Sequence, residues 1–377
     1  MKHVPCSLPT EATPRQSLFW NWIDQEVQRL VAGLIHMALV TLQREQLQAA
    51  WNQRTAQRRG WRNGYRRRQL TTAHGVLSIR VPRIREGTFD QTMIFERYQR
   101  RIADVERVLR QAYLVGVSTR DAAQLAEQLF GGSLSHQTIS RLMRWLDEQL
   151  AWWRSQPLAP IYTVVYIDGM HVHKVGSGRN VMLVAGRRAD GVMEVLGFCV
   201  STGEQCTALL SDLRRRGLEN VQMFVSDESA AIRSAVHWVY PEVSWQHCIF
   251  HRLAQLRRDI GATEYRDRMV AEAACVFRCL SREAALDAAG LWRQRWHRTD
   301  PVAVAHFLEG LSDSVNFYDL PMNWWKRVRT NNPLERLIRT LRQRLRPMGC
   351  FHDEPAIERA VFGQLLRRHK IKLTHNT

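Results

Sequence analysis

"YTVVYID" (Tyr162–Asp168) decides the fold: it is an unbroken apolar run closed by a carboxylate. A short run of β-branched and aromatic residues suits a strand buried on both faces. The arrangement recurs at "VQMFVSD" (Val221–Asp227), which also ends in aspartate. Between the two lie "RNVMLVAGR" and "GVMEVLGFCV", joined by a tight turn at "RADG" (Arg188–Gly191), and then helical spacing over Glu204–Arg216. Further on, the spacing predicts a helix from about Ser229, a short strand "VSWQ", and a mostly helical stretch from His247 to Asp319. Three strands in a meander, then helix–strand–helix–strand, predict an α/β domain with a mixed sheet covered by helices. That order matches the RNase H-like fold at the level of fold analogy.

Carboxylates at the ends of central strands in open α/β sheets sit in the functional crevice. If the two strands are neighbours, Asp168 and Asp227 converge, and like charges so close need a cation between them. Mg²⁺ takes oxygen ligands, and two such ions roughly 4 Å apart stabilise the attacking and leaving oxygens of an in-line phosphoryl displacement. A third carboxylate stands alone among arginines in "RTNNPLERLIRTLRQRL" (Arg329–Leu345). Here Asn332 is expected as N-cap, with Glu335 completing something close to a capping box. On the helical wheel Leu334, Leu337, Ile338, Leu341 and Leu345 form an apolar stripe, while Glu335, Arg339, Arg342 and Arg346 share a flank about 100° away. Glu335 is thus either a cap or a metal ligand above a row of phosphate clamps, and both readings stand at this point.

The charge balance names the partner class. Lys+Arg is 54 against 36 Asp+Glu in 377 residues, a net charge of +18. Such an excess attracts a polyanion, nucleic acid or an anionic surface. The most apolar helical run, Leu30–Val40, is too short to span a bilayer, and Pro5, Pro9 and Pro14 interrupt any signal-peptide core. Seven scattered cysteines do not suggest a disulfide framework. The expectation is a soluble intracellular protein, with nucleic acid favoured and no membrane partner.

The N-terminal third carries the basic elements. Ser17–Trp51 has helical spacing, one or two amphipathic helices for packing or self-association. Gln57–Arg85 is the densest basic region, and "GVLSIRVP" alternates as a half-buried strand that "TTAHG" could turn back onto "RRRQLT". Arg66, Arg67, Arg68, Arg83 and Arg85 suit phosphate contact, or else a solvated basic face. In Val115–Leu150, Ser118 can cap a helix to about Phe130, Gly131 and Gly132 end it, and Ser135 can cap a second helix carrying Ile139, Leu142, Met143 and Leu146. This is a helix-turn-helix outline in which Gln137, Thr138 and Arg141 would face DNA, and it is equally the outline of any short αα-hairpin. Cys248 and His251 form a C-x2-H pair that Cys275 and Cys279 could complete as a zinc site, although buried thiols are the favoured reading. Trp324 and Trp325 are expected in packing rather than stacked on a base.

Taken together, "RQLTTAHGVLSIRVPRIREGTF", "YLVGVSTRDAAQLAEQLFGGSLSHQTISRL", "YIDGMHV", "RRRGLENVQMFVSDE", "YPEVSWQHCIFHRL" and "RTNNPLERLIRTLRQRLRPMGCF" occur in the order found in Mutator-type DDE transposases of prokaryotic insertion sequences, which the chain resembles from about Arg62 to Phe351. The resemblance implies an RNase H-like catalytic core with a mostly helical insertion, and it matches the catalytic triad to Asp168, Asp227 and Glu335. It puts the C-x2-H signature on Cys248 and His251. It further implies two Mg²⁺, with Mn²⁺ as a substitute, double-stranded DNA (terminal inverted repeats and target) as partner, and a homodimer or higher oligomer on DNA. The division expected is a helical region at 1–55, a DNA-binding region at 56–160 and a catalytic domain at 161–377 with its insertion at about 255–320. A nuclease that cuts without joining and a non-catalytic DNA-binding regulator are the alternatives.

Overall fold

The computed structural model describes residues 14–96, 99–159, 162–201 and 205–369. Pro5, Pro9 and Glu204, which figure in the expectations above, lie outside them. The chain divides into two compact units, Met1–Met143 and Arg144–Thr377.

In the first unit the expected amphipathic segment is one helix, α1 (Pro14–Leu47). β1 (Arg62–Thr72) and β2 (Gly75–Ile84) form an antiparallel hairpin that pairs Leu70 with Leu77. Its turn needs Gly75, whose φ of 99° lies in the left-handed region. Alternation decides which face is covered: Leu77, Ile79 and Val81 pack with Leu39 of α1, while Ser78 and Arg80 face solvent. Three helices follow, α2 (Ala103–Val115), α3 (Thr119–Phe130) and α4 (His136–Leu142). Ser118 and Ser135 cap α3 and α4, each accepting from a backbone N–H three residues on. The second of these helices was expected to run unbroken through Leu146. It stops at Leu142 instead, and a new helix, α5 (Trp145–Ser155), begins after Met143 and Arg144.

The second unit starts with α5, the last helix of the stretch expected to bind DNA. Here α5 packs within this unit: Trp153 stacks on Phe198 and Arg154 pairs with Glu358 at 2.6 Å. The sheet holds β3 (Tyr162–Lys174), β4 (Ser177–Arg188), β5 (Met193–Ser201), β6 (Met223–Ser226) and β7 (Ser244–His247), in the order β5-β4-β3-β6-β7. The meander β3–β5 is antiparallel, and β3, β6 and β7 run parallel. Helices α6 (Gln205–Arg215) and α7 (Ala230–Val239) form the crossovers. Leu210, Leu213, Ile232 and Val236 pack with Val165, Ile167 and Phe224 in the core. Burying each such side chain stabilises by about 1.5–3 kcal/mol.

After β7 the chain is helical: α8 (Ile249–Asp259), α9 (Arg266–Val276), α10 (Arg282–Trp296), α11 (Pro301–Leu308), α12 (Leu311–Ser314), α13 (Met322–Val328), α14 (Asn332–Leu345) and α15 (Glu354–His369). Buried Gln246 anchors this run to β7, donating to the Ser314 carbonyl at 2.8 Å and accepting from Phe317 N–H at 2.8 Å. Trp324 is buried, and Trp325 packs against Tyr318 while its Nε1–H donates to the Leu320 carbonyl at 2.7 Å, so both serve packing as expected. No helix among the described residues is long and apolar enough to cross a membrane.

Candidate active site

The strands bring the two aspartates level. In the parallel ladder Tyr166 pairs with Val225, and β6 ends at Ser226. Two residues further along each chain stand Asp168 and Asp227. β3 does not end at Asp168, as the apolar run had suggested; it continues to Lys174, and Asp168 pairs with Leu183 of β4. The reason is a change of surroundings within one strand. Over Val164–Tyr166 both edges of β3 are paired, and these residues and Ile167 are buried and apolar. Beyond it β6 has stopped, and β3 alternates, with Met170 and Val172 buried and His171 and His173 exposed.

The third carboxylate arrives on α14. The expected stripe is the buried one: Leu334, Leu337, Ile338, Leu341 and Leu345. Arg339, Arg342 and Arg346 are exposed and Glu335 is half-buried. The cap is a correction. It falls on Asn331, not Asn332, and the Asn331 side chain does not cap the helix. Its amide donates to the Ile167 carbonyl at 3.0 Å, one residue before Asp168, and its backbone N–H donates to Cys248 Sγ at 3.3 Å. Its carbonyl accepts from Leu334 and Glu335 N–H, both at 3.0 Å. Tertiary bonding has displaced the local capping box, because a buried amide gains more from fixing β3 to α14 than from closing one turn. Asn331→Ala should therefore cost about 1–3 kcal/mol, read as a lowered denaturant midpoint. A shift within about 0.5 kcal/mol, the scale of a neutral surface change, would mean that the clamp carries little. Sequence reading missed Asn331; the signal available was the doubled asparagine before Pro333.

His251 enters from the first turn of α8, whose N-cap is Cys248. Its Nε2 lies 3.8 Å from Glu335 Oε1. His251 Nδ1 and Glu335 Oε1 are buried and without a hydrogen-bond partner. Burial pushes the Asp168 carboxyl up to about 6; the Gly169 N–H and the His251 charge oppose this, and Asp227 and Glu335 add to it. Asp168 is thus close enough to sense all three groups. Burial also holds neighbouring His247 down at about 3, a neutral imidazole.

Two donor sets can be compared for a metal. Ligand atoms of Cys248, His251 and Glu335 lie within 4.8 Å of one another, a mixed set that would suit zinc. Cys248 would have to lose its proton in that role. Burial raises its thiol to about 11, while backbone N–H groups beside the sulfur, with Asn331's donating at 3.3 Å, oppose that rise. A metal-bound cysteine must be a thiolate. Cys275 and Cys279 are not part of that group; their thiols donate to the carbonyls of Ala271 and Cys275, each four residues back. The oxygens of Asp168, Asp227 and Glu335 are donors of the kind a hard cation takes, and Glu335 Oε1 is buried without a hydrogen-bond partner. The six described cysteines are all free.

In the first unit Arg66, Arg67, Arg83 and Arg85 are exposed on the hairpin. Arg68 is committed internally: it lies over the Phe95 ring at 4.7 Å and donates to the Gln99 carbonyl. A cleft of about 900 Å³ runs along Arg66, Arg67, Arg68 and Arg100. Thr138 and Arg141 of α4 line a second, of about 690 Å³, with Arg100 and Arg101. Gln137 is exposed on the same helix.

The sequence profile described as "Transposase, Mutator family" matches residues 10–371. Over 333 residues the chain is 29% identical to the transposase for insertion sequence element ISRM5 of Rhizobium meliloti, covering 86% of this chain and 83% of that protein. It is 28% identical over 369 residues to the transposase for IS256 in transposon Tn4001 of Staphylococcus aureus, with 94% and 93% covered. It is 30% identical over 326 residues to the transposase for IS406 of Burkholderia multivorans, with 83% and 82% covered.

Proposed function

Because the chain belongs to the Mutator family of transposases, we propose that it binds the terminal inverted repeats of its own insertion sequence and performs metal-dependent DNA cleavage and strand transfer. What supports this reading is that Asp168 and Asp227 each stand two residues past the Tyr166–Val225 pair of neighbouring parallel strands, and that the charges of Asp227 and Glu335 both act on the buried Asp168 carboxyl. We read the second unit as an RNase H-like core in which α8 to α12 form the helical insertion, and the hairpin and α2–α4 as the DNA-binding part. Two copies would hold two element ends together.

Asp168, Asp227 and Glu335 would hold the divalent ions. Bound there, Mg²⁺ or Mn²⁺ supplies Lewis-acid polarisation of a phosphodiester and a more acidic attacking water. Water attack at the element end frees a 3′-OH, and that 3′-OH attacks a target phosphodiester in line. The protein's part is positional. Asn331 ties the Glu335 helix to the Asp168 strand, so the carboxylates keep their spacing. Arg339, Arg342 and Arg346 continue the Glu335 flank and can clamp phosphates on either side of the reacting one. His251, beside Glu335, offsets part of the carboxylate charge.

The test is an in vitro reaction with Mg²⁺, DNA carrying the element's ends and a target plasmid. Joined products that vanish with EDTA are expected. Cleavage without joining would replace the reading with a nuclease, and binding without either reaction with a regulator. Neutralising exposed Arg66 and Arg67 should weaken end binding and flatten its salt dependence. Each lost phosphate contact lowers the log–log slope by about 0.9. An unchanged slope in mobility-shift titrations would remove these two arginines from the interface.

A further inference from the structure

Beyond the carboxylates, α14 and β3 enclose a cleft of about 500 Å³. Met170, Val172, Leu345 and Phe351 give it apolar walls, Arg342 and Arg346 stand at one side, and no acidic side chain lines it among the described residues. Its volume falls in the ~300–1,000 Å³ range that holds one small molecule. That is room for a nucleotide and far too little for a duplex. Apolar walls beside two guanidinium groups match a base joined to a phosphate.

Its location follows from the two elements that form it. Met170 is two residues beyond Asp168 on β3, roughly 7 Å at about 3.3 Å per residue. Arg342 is seven residues beyond Glu335, about 10 Å along the helix axis. One DNA strand advances about 3.4 Å per nucleotide. A strand whose phosphodiester lies at the carboxylates therefore passes the cleft two or three nucleotides away. A base kept in the stack cannot reach the recessed apolar walls; a base turned out of the duplex can.

We propose that this cleft takes one unpaired nucleotide of the DNA strand, two or three positions from the scissile phosphodiester, with its base among Met170, Val172, Leu345 and Phe351 and its phosphate on Arg342 and Arg346. This rests on the reading of Asp168, Asp227 and Glu335 as the reacting centre. A free nucleotide shares the chemistry, and the experiment separates the two sources.

The full-length protein is mixed with element-end duplexes carrying 2-aminopurine singly at each of the four positions nearest the cut. Binding should raise fluorescence several-fold at one position only, as that base leaves the stack. Exposed Cys350 sits at the cleft, and Cys350→Trp adds the bulk to fill it from the solvent side. Cys350→Trp should abolish the fluorescence rise and slow cleavage of fully paired ends at least tenfold, with end binding within about twofold. An abasic nucleotide at the responsive position should restore most of its cleavage. Arg342→Gln should lower the rise in the same direction, a check that does not depend on the bulk of tryptophan. The proposal is overturned if wild-type protein cleaves while no position responds, or if Cys350→Trp cleaves at the wild-type rate. Saturable binding of AMP that Cys350→Trp removes, with no 2-aminopurine response, would assign a free nucleotide and also overturn it. Failure of wild-type protein to cleave any end would instead overturn the catalytic reading on which it rests.

Discussion

Changing Glu335 to glutamine should lower DNA cleavage and joining by about 10³-fold or more, equivalent to about 4 kcal/mol of transition-state stabilisation. Glutamine keeps the size of the side chain, and the buried leucine stripe that seats α14 is untouched. What is lost is one negative oxygen donor, Oε1, which is buried without a hydrogen-bond partner and 3.8 Å from His251. A neutral amide there holds a divalent cation weakly. End binding should stay within about twofold, because Glu335 is not among the residues assigned to DNA contact and glutamine leaves the arginines beside it in place. The same pattern is expected for Asp227→Asn. Strand-transfer assays beside mobility shifts measure both quantities. Cleavage by Glu335→Gln within tenfold of wild type would return Glu335 to a purely structural role at the helix start.

The second large effect concerns stability. Burial holds the Asp168 carboxyl at about 6, above its ordinary 3.8. Between these values the folded protein keeps a proton that the unfolded chain releases. The group therefore favours the fold fully below about pH 4, and that contribution is lost as pH rises through about 6. At about 1.4 kcal/mol per pH unit, the metal-free protein carries a cost on the order of 3 kcal/mol at pH 8 from holding this carboxylate buried beside Asp227 and Glu335. Asp168→Asn should remove most of it, so the variant in EDTA unfolds at a higher midpoint than wild type at pH 8, and the gap closes towards pH 4. Mg²⁺ should stabilise wild type at pH 8 and leave Asp168→Asn nearly unmoved, since a ligand that binds only the folded state raises its stability. Parallel pH profiles for the two proteins would show that Asp168 is not strained by its burial. A carboxylate that destabilises its own fold yet catalyses would be a trade of stability for reactivity.

Much of this was legible in the chain. Continuous apolar runs marked β3 and β6, alternation marked β2, and the leucine spacing of α14 named its buried face residue by residue. These are local periodicities, and burial follows them because one face or both must leave water. Glu335, Asp168 and Asp227 stood out for the same reason: a charge beside a run of buried positions is conspicuous. The C-terminal extent of β3 was not legible, because its pattern changes where a neighbouring strand ends, and that end is set by another segment. The break between α4 and α5 was hidden as well, since helical spacing continues across Met143 and Arg144.

The amino-acid sequence by itself pointed to most of the elements, their order, the family and three candidate carboxylates. Only the tertiary structure decided how those carboxylates are held. Asn331 reads locally as a helix cap, yet its amide is spent on the Ile167 carbonyl and its N–H on the Cys248 sulfur. Cys248 reads as half of a metal motif, and in the fold its buried thiol accepts the N–H of Asn331 at the start of α14. In both cases a buried polar group takes the partners that folding brings to it, and those partners come from strands and helices distant in the chain.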